Sequence, residues 1–341
     1  MGYDVTIGIP VYKSVDYIRR SLESALAQTY SSVEFLIVDD VGCDGSIEIV
    51  KSIKEKHPRG IDIHIIEHKE NLGVSASRNQ IIDEALGDYL YFMDSDDMIV
   101  ENTIELLMQN ARQYDAEIVF GSYERIDILG KKTLYQYPSL QLLHKDELAT
   151  FAYRKYAGIQ ASACNYLIRA SVLRKNNHRF IDSNYWEDLA FTFDLVTFIS
   201  RAVLLPDITY YYICRENSLS HYQQREMITK DEVMRNVYSI DHLKRSSSKL
   251  QDKKYYPTRC FNIVLTDFYI ACTILKREKY ISPKVSNVEI KSMMNHPASF
   301  IQICKFRQAC LSNLALYLLG ILPPNLCVTL VRCVGKIKKL I

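Results

Sequence analysis

The fold class is indicated most clearly by residues 33–68, VEFLIVDDVGCDGSIEIVKSIKEKHPRGIDIHIIEH. The run VEFLIVDD predicts a strand that ends in two carboxylates, and the run SIEIVKSIKEKH predicts a helix that Pro58 and Gly60 end. The run IDIHIIEH alternates apolar and polar residues, which predicts a second strand. A strand, a helix and a strand in this order predict a βαβ unit with two parallel strands.

The same alternation extends over the first 126 residues. Apolar runs and helical spacing predict strands at 4–11, 88–97 and 116–126 and helices at 15–29, 74–86 and 102–114. Asn102 is expected to cap the last of these helices. The strand runs are continuously apolar, which indicates burial on both faces. We therefore expect an α/β, Rossmann-like fold with a mainly parallel central sheet flanked by helices.

Beyond residue 130 the pattern loosens. Helices are expected at 145–156, 171–177 and 186–200, a strand at 202–215 that Pro206 breaks, and mainly helices from residue 226 onward. We therefore expect one main domain followed by a C-terminal helical extension. The expected division is a catalytic domain at 1–225, a helical extension at 226–300 and an apolar, basic tail at 301–341.

The tail contains two apolar stretches, at 309–322 and 325–341. Neither reaches the ~20 apolar residues that a membrane-spanning helix needs. Lys336, Lys338 and Lys339 follow them, and apolar helices with such cations suit an anionic membrane surface. The alternative is a helical hairpin that packs on the core of the protein itself. The sequence leaves both interpretations open.

The composition excludes several function classes. The 341 residues carry a net charge of +2, so charge gives no reason to expect a nucleic-acid partner. The nine scattered cysteines form neither a CxxC pair nor a zinc-type spacing, which indicates reduced thiols. No P-loop, G-x-S-x-G or H-E-x-x-H motif is present, and the first residues do not resemble a signal peptide. We therefore expect a cytoplasmic protein, with the inner face of the cell membrane as a second location.

Polar residues follow three of the predicted strands, after Val11, at Asp39–Asp40 and at Asp94–Asp97. Ligands bind beyond the carboxyl ends of parallel strands, so we expect these clusters to converge on one crevice. The run DSDD at the third cluster has three interpretations: a solvated turn before a helix, an acid/base pair, or a cation site. Like charges this close repel one another unless water or a cation lies among them.

Four blocks of sequence occur in a fixed order: IGIPVYKSVDYIRRSLESALAQTY, VEFLIVDDVGCDGSIEIV, ENLGVSASRNQII and GDYLYFMDSDDMI. Together they closely resemble the family 2 glycosyltransferases with the GT-A fold, strongly over residues 4–100 and more loosely over 100–222. The resemblance implies inverting transfer of a sugar from a UDP-sugar to a hydroxyl of a glycan or lipid-linked glycan. It also implies a divalent metal, Mn²⁺ or Mg²⁺.

The resemblance implies that the first two blocks bind the donor nucleotide. Pro10, Val11 and Tyr12 would lie beside the nucleotide, with the Tyr12 ring against the base. Asp40 would accept a hydrogen bond from the uracil N–H, and Asp39 would be its structural neighbour. Ordinary packing of the ring and ordinary turn chemistry of the acids are the alternatives.

The third block is expected to face the phosphates. By resemblance, Asn71 and Gly73 form a turn, and Arg78 reaches from the following helix toward the nucleotide or its diphosphate. A surface salt bridge is the alternative for Arg78. Lys13 stands where the family usually has Asn, so the resemblance does not assign it the nucleotide contact that the Asn would make.

In the fourth block, Asp94, Ser95 and Asp96 form the family's DxD motif. The resemblance implies that Asp96 is a metal ligand, that Asp94 contacts the ribose or a metal-bound water, and that Asp97 faces the donor sugar. A metal between these carboxylates and the diphosphate would remove their mutual repulsion and stabilise the departing UDP.

The acceptor side is expected to come from the run NYWEDLAFTF. Glu187 and Asp188 resemble the family's E-D motif at a helix start, and Asp188 is expected to be the general base. Trp186 would stack on a sugar face. The alternative is that these acids only stabilise the helix start. Cys164 and Tyr166 replace the family's usual Trp and Lys, which leaves their acceptor contacts in doubt.

The run YYYICRENSLSHY resembles the segment that closes over the donor. Arg215, Ser218 and Ser220 are therefore expected to contact the diphosphate, and His221 to be a second metal ligand. A loop histidine without a ligand is the alternative.

These predictions define a glycosyltransferase that builds surface polysaccharide and transfers a hexosyl or N-acetylhexosaminyl group. The main alternative is a noncatalytic nucleotide-sugar or glycan-binding subunit on a degenerate GT-A scaffold, which the replacements at Lys13, Cys164 and Tyr166 motivate. A metal-dependent nucleotidyltransferase is a third hypothesis.

Overall fold

A computed structural model of the chain describes residues 2–154, 158–183, 185–215 and 227–341. The chain forms two compact units. The N-terminal unit comprises Met1–Leu148 and Ala161–Ser218, and the C-terminal unit comprises Ala149–Gln160 and Leu219–Ile341.

Strands and helices alternate in the first part of the N-terminal unit, as the sequence predicted. They are β1 Val5–Val11, α1 Ile18–Leu26, β2 Val33–Asp39, α2 Ser46–Lys56, β3 Ile63–Glu67, α3 Val74–Glu84, β4 Tyr89–Phe92, β5 Met98–Ile99 and α4 Thr103–Gln113. A 3-10 turn at Gly60–Asp62 precedes β3.

The next part of the chain has shorter elements. They are β6 Ile118–Ile126, β7 Lys132–Tyr135, β8 Leu140–Leu142, α5 Glu147–Arg154, β9 Tyr166–Arg169, α6 Ala170–Lys175, α7 Glu187–Leu195 and β10 Ala202–Ile213.

The ten strands form one sheet in the order β3-β2-β1-β4-β9-β6-β10-β5, with β7 on β6 and β8 on β10. Strands β3, β2, β1 and β4 are parallel, with Ile7 of β1 aligned with Phe35 and Tyr91. Strand β9 lies antiparallel between β4 and β6, so the sheet is mixed beyond β4. The predicted α/β sheet with flanking helices is confirmed. The three polar clusters follow β1, β2 and β4, which belong to its parallel part.

Close packing of α3 on β1 positions the polar end of the sheet. Ile7 and Ile9 of β1 are fully buried. Gly8 lies between them, and a Cβ there would come within 2.3 Å of the Ile81 side chain of α3. Because only glycine permits this approach, β1 fixes the helix that carries Arg78.

Two local predictions differ from the structure. Pro206 does not break the strand; β10 continues through it, with shifts of register against β6 between Leu204 and Ile208. A proline has no N–H to pair, and an irregular register accommodates it. Asn102 precedes α4 without a side-chain cap bond. Instead, the Gln28 side chain accepts the Ile104 N–H at 2.9 Å.

The C-terminal unit is mainly helical, as expected from residue 226 onward. Its elements are β11 Ile228–Thr229, α8 Lys230–Ser247, α9 Tyr256–Lys276, β12 Ile281–Ser282, α10 Asn287–Met293, α11 Phe300–Cys304, α12 Cys310–Ile321 and α13 Pro324–Ile337, with a 3-10 turn at Ser248–Leu250. Strands β11 and β12 pair in parallel.

Helix α9 lies at the centre of this unit. Of the helices in the described ranges, it alone is long and apolar enough to cross a membrane by length and composition, and 61% of its apolar window is buried. Two charged residues of α9, Arg259 and Asp267, are fully buried with partners from α8. Lys244 of α8 meets Asp267 at 2.5 Å.

The two apolar stretches of the tail form α12 and α13. Leu316 of α12 and Val328 and Val331 of α13 are buried against the neighbouring helices α9 and α10. Each tail helix therefore packs by one face within the unit, and its other face is exposed.

Candidate active site

The predicted polar clusters meet at the carboxyl ends of β1, β2 and β4. Ser14, which follows β1, hydrogen-bonds Ser95 of the DSDD run with 2.6 Å between the two Oγ atoms. The Ser14 N–H donates to Ser46 Oγ, at the start of α2 after β2, at 2.9 Å. The three loops are therefore held side by side, as expected for the end of a parallel sheet.

Asp40 organises the turn that starts α3. Its carboxylate accepts the N–H groups of Leu72 at 2.8 Å and Gly73 at 2.9 Å. It also accepts the Asn71 side-chain amide at 3.0 Å and meets His68 Nδ1 at 2.8 Å. With Asp40 only 3% exposed, both of its carboxylate oxygens are engaged inside the protein.

Asp39 lies at the end of β2, with its carboxyl group half-buried. Burial raises the pKa of Asp39, and hydrogen bonds from the N–H groups of Gly42 and Val41 oppose that shift. The loop that follows is tightly wound, since Val41 and Cys43 both have positive φ angles, of 58° and 51°. Non-glycine residues in this conformation carry strain of the kind that clusters at binding sites.

The end of β1 presents an aromatic ring at the same edge. Val11 is fully buried and Pro10 is half-buried, so both position the turn. Tyr12 is 43% exposed, and the Lys13 ammonium lies 5.1 Å from the centre of its ring. Tyr12 thus offers an aromatic surface to a ligand at this edge of the sheet.

The carboxylates of the DSDD run lie close enough to share a cation. One oxygen from each of Asp94, Asp96 and Asp97 lies within 4.8 Å of the others. Burial and the Asp94 charge raise the pKa of Asp96, although Arg215 opposes this shift. The carboxylates of the cluster therefore repel one another. Carboxylate oxygens are hard ligands, and a group of them suits Mg²⁺ or Mn²⁺.

Asp97 is held by β10. It is 1% exposed, accepts the Tyr210 hydroxyl at 2.7 Å and accepts the Ile213 N–H at 2.7 Å. Burial, together with the Asp94 and Asp96 charges, raises its pKa well above the usual value. These contacts tie the DSDD loop to the far part of the sheet.

Arg78 connects the DSDD loop to α7. Its guanidinium donates to Asp94 Oδ1 at 3.0 Å and to Glu187 Oε1 at 2.7 Å. Burial opposes its charge, but these two carboxylates raise its pKa well above the usual value. The Nε of Arg78 is buried and has no hydrogen-bond partner within the described ranges. One N–H group of the arginine is therefore unpaired in the described part of the site.

Helix α7 begins with the three residues expected on the acceptor side. Trp186 is in the left-handed conformation, with φ 57°, immediately before the helix. Glu187 is buried against Arg78, and Asp188 follows, half-buried. Burial, together with the Glu187 charge, raises the pKa of Asp188 to about 7. A carboxyl group with this pKa can exchange a proton near neutral pH.

Arg215 reaches the carboxylate cluster from the end of β10. Its Nε lies 2.5 Å from Asp96 Oδ2, and its guanidinium lies 5.2 Å from the centre of the Tyr17 ring. The other residues expected near the diphosphate, Ser218, Ser220 and His221, lie outside the described residues.

The two replaced family positions are part of the core. Cys164 is 3% exposed, and burial raises the pKa of its thiol well above the usual value. Tyr166 is 1% exposed, with its hydroxyl 3.4 Å from Thr192 Oγ1. Neither side chain therefore presents a surface to an acceptor.

Sequence reasoning missed three supporting residues. Tyr210 donates to Asp97 and accepts the Asp94 N–H, while Ser14 and His68 fix Ser95 and Asp40. Tyr210 lies in a run of three tyrosines, and nothing in that run distinguishes the one that faces the carboxylates.

Residues 6–176, about half of the chain, match the family described as glycosyl transferase family 2. The chain belongs to this family. The glycosyltransferase class and the GT-A type of α/β fold predicted from the sequence are thereby confirmed.

Two curated relatives come from Streptococcus pneumoniae. The chain is 37% identical to the glycosyltransferase GlyA over 119 residues, which are 35% of this chain and 16% of GlyA. It is 27% identical to the glycosyltransferase GlyG over 221 residues, which are 63% of this chain and 72% of GlyG. The chain thus matches only a small part of GlyA and most of GlyG.

Two solved structures share the fold. TarS 1-349 of S. aureus in complex with UDP-GlcNAc has a TM-score of 0.64 at 16% identity, covering 93% of this chain and 90% of that one. The mannosyltransferase PcManGT of Pyrobaculum calidifontis in complex with GDP-Man and Mn²⁺ has a TM-score of 0.55 at 13% identity, covering 98% and 88%.

Proposed function

We propose that this glycosyltransferase is metal-dependent and inverting, and that it moves a sugar from a UDP-sugar to a hydroxyl group of a glycan or lipid-linked glycan. The supporting observation is the bridge made by Arg78 between Asp94 and Glu187. One guanidinium fixes the carboxylate cluster against the helix that carries Asp188. A candidate cation site and a candidate base are thus held in one rigid arrangement.

Asp94 and Asp96 fit a divalent cation better than Asp97 does. Both oxygens of Asp97 already accept hydrogen bonds from β10, whereas Asp94 and Asp96 are partly exposed and pair with Arg78 and Arg215. Mn²⁺ or Mg²⁺ would be held by Asp96, with Asp94 close by, and would stabilise the charge that develops on the departing UDP. Asp97 then orients the loop rather than facing the donor sugar.

Asp188 is the proposed general base. Its carboxylate takes the proton of the acceptor hydroxyl while that oxygen attacks the anomeric carbon from the side opposite the diphosphate. The bond between the sugar and UDP breaks as the new bond forms, so the configuration inverts. Glu187 supports this role in two ways: it raises the pKa of Asp188, and it anchors the helix start to Arg78.

For the nucleotide, the contacts favour Asp39 over Asp40 as the acceptor of the uracil N–H. Both oxygens of Asp40 are engaged by the turn that Asn71 and Gly73 form, whereas Asp39 is half-buried and close to Tyr12 along the same sheet edge. Asp40 then shapes the phosphate side of the pocket indirectly. Tyr12 stacks on the base, with Pro10 and Val11 behind it.

The diphosphate and the sugar are assigned to the remaining candidates. Arg78, buried between Asp94 and Glu187, would attract the diphosphate by its charge, and Arg215, which pairs with Asp96, would contact it directly. Ser95, Ser220 and His221 remain candidates on the same side, and Trp186 remains the candidate for stacking on a sugar. The acceptor belongs to surface polysaccharide synthesis, and the reaction takes place in the cytoplasm.

Calorimetric titration with UDP, GDP and CMP, each with and without Mn²⁺, tests the donor and the metal. We expect UDP to bind with Mn²⁺ and at least about tenfold more weakly without it, because the metal links the diphosphate to Asp96. Asp96→Ala should lose the Mn²⁺ dependence, and Asp207→Ala, on an exposed carboxylate of β10, should keep it.

Mn²⁺-independent binding of UDP would remove the metal from the proposal. Binding of none of the three nucleotides would favour the noncatalytic glycan-binding alternative.

A further inference from the structure

The small net charge of the chain conceals two units of opposite charge. The C-terminal unit contains 22 Lys and Arg against eight Asp and Glu, a net charge of +14. The N-terminal unit contains 20 Lys and Arg against 32 Asp and Glu, a net charge of −12. A charge asymmetry of this size indicates that the C-terminal unit meets an anionic partner.

The last part of the chain carries this charge without any compensating acid. After Glu289 no Asp or Glu occurs up to the end at Ile341. The same segment contains seven basic residues: Lys291, Lys305, Arg307, Arg332, Lys336, Lys338 and Lys339. A soluble protein surface usually mixes acidic and basic residues, so solubility alone does not account for a segment that contains only basic ones.

This basic segment also exposes apolar side chains. Of the 24 large apolar side chains exposed in the described residues, nine lie between residues 300 and 337. Four of them form a stripe along α13, at spacings of four, four and three residues: Leu326, Leu330, Val334 and Ile337, exposed by 47%, 39%, 40% and 78%. Side chains at these spacings lie on one face of a helix.

The opposite face of α13 is well packed. Val331 is fully buried and Val328 is 6% exposed, and a Cβ on Gly335 would come within 3.0 Å of the Cys272 sulfur of α9. The helix is therefore anchored in its unit while it presents the stripe to the outside.

We propose that the C-terminal unit docks on an anionic membrane surface through the apolar–basic face of α13. This face comprises the stripe Leu326, Leu330, Val334 and Ile337 together with Lys336, Lys338 and Lys339. The stripe enters the boundary between headgroups and acyl chains, and the lysines contact anionic headgroups. At 14 residues, α13 is too short to span the bilayer and lies along its surface.

The chemistry of the face selects a membrane over other partners. A nucleic acid would use the lysines and leave the apolar stripe in water, and an apolar protein partner would not need an acid-free segment. A lipid surface uses both features at once. The inference does not rest on the proposed transfer reaction, because none of these residues takes part in it.

Vesicle flotation with the full chain tests this inference. We expect the protein to float with vesicles of phosphatidylcholine and phosphatidylglycerol and to remain in the bottom fraction with vesicles of phosphatidylcholine alone. High salt should release it from the anionic vesicles. Lys336→Gln, Lys338→Gln and Lys339→Gln together should weaken partition by about 100-fold, at about fivefold per cation. Lys54→Gln, Lys56→Gln and Lys175→Gln, a matched exposed triple in the other unit, should change nothing.

The apolar stripe is tested separately. Leu330→Gln with Val334→Gln should lower partition by about tenfold or more, while Ile61→Gln with Leu129→Gln, which are 83% and 88% exposed, should not. All four positions are exposed, so the variants should unfold at the wild-type temperature, which thermal unfolding checks.

Equal flotation with neutral vesicles, or no loss in either α13 variant, would overturn the proposal. So would a wild-type dimer that Leu330→Gln with Val334→Gln dissociates, because a second copy of the chain would then cover the stripe.

Discussion

Each unit buries one carboxyl group whose pKa is raised to about 7, and the surroundings of the two groups differ. Asp188 of the N-terminal unit lies half-buried beside a second acid, Glu187. Asp267 of the C-terminal unit is fully buried and meets Lys244 at 2.5 Å, yet burial outweighs that attraction. Burial is the main cause of both shifts; the Glu187 charge adds to it at Asp188, whereas Lys244 opposes it at Asp267.

The starts of the helices differ in the same way. In the C-terminal unit, α8, α10 and α11 each begin with a complete capping box, from Thr229, Ser286 and Ser299. In the N-terminal unit, α1, α2, α3, α4, α6 and α7 begin without a side-chain cap bond. Helices α9, α12 and α13 of the C-terminal unit also begin without one, so capping boxes occur at three of its six helix starts. In the N-terminal unit, side chains from elsewhere in the chain take over part of this role, as Gln28 does at Ile104 and Asp40 at Gly73.

The largest expected effect is on transfer, from Asp188→Asn. An amide cannot take the proton of the acceptor hydroxyl, so we expect the rate of sugar transfer to fall about a thousandfold, with UDP binding nearly unchanged. Asp182→Asn, on an exposed acid just before α7, is the matched control and should keep wild-type transfer. Transfer by Asp188→Asn within about tenfold of wild type would exclude Asp188 as the base.

The pH dependence gives an independent test of the same carboxyl group. Below its pKa of about 7, Asp188 holds a proton and cannot act as a base, so the rate should rise about tenfold per pH unit up to pH 7 and then level off. Since this pKa is raised above 3.8, the folded state loses stability as pH rises through 7. Asp188→Asn should therefore gain thermal stability over the wild type more at pH 8 than at pH 5.

The sequence predicted the parts of the site that depend on short segments. Strand ends with carboxylates, and helices between them, follow from local periodicity, and their meeting follows from the geometry of a parallel sheet. The contacts between distant parts of the chain could not be predicted from these local signals. Arg78 and Glu187 are 109 positions apart, and Tyr210 and Asp97 are 113 apart. Such pairs depend on strand β9 reversing direction between β4 and β6, for which no local signal exists.

The same limit applies to Asp40. Its position after a strand suggested a ligand contact, and the turn that occupies its carboxylate is formed by residues 28 to 33 positions further on. Local sequence locates two acids at this edge of the sheet, and only packing shows that the turn at residues 71–73 engages both carboxylate oxygens of Asp40.

The next prediction concerns stability and the buried pair of Lys244 and Asp267. Asp267→Asn leaves the Lys244 ammonium, 9% exposed, without its buried partner, so we expect a loss of about 3 kcal/mol in the free energy of unfolding, measured with urea. Lys244→Met combined with Asp267→Leu removes both charges and should restore most of that loss.

The exposed partner of the same lysine provides the control. Asp241 lies 3.5 Å from Lys244 and is 43% exposed, so Asp241→Asn should cost no more than about 0.5 kcal/mol. If Asp267→Asn cost as little, the comparison would fail, because Asp267 would then be as dispensable for stability as an exposed acid. A gain of stability in Asp188→Asn at pH 8 together with a loss in Asp267→Asn would sharpen it.

The smallest expected effect concerns the helix starts. Thr229 accepts the Glu232 N–H and receives a reciprocal contact, so Thr229→Ala should cost about 1 kcal/mol in urea unfolding. Asn102 occupies the equivalent position before α4 without a cap bond, so Asn102→Ala should cost only a few tenths of that. Both residues precede helices of ordinary composition, so a difference between the two losses isolates the cap itself. Equal losses would show that side-chain capping does not distinguish these two helix starts.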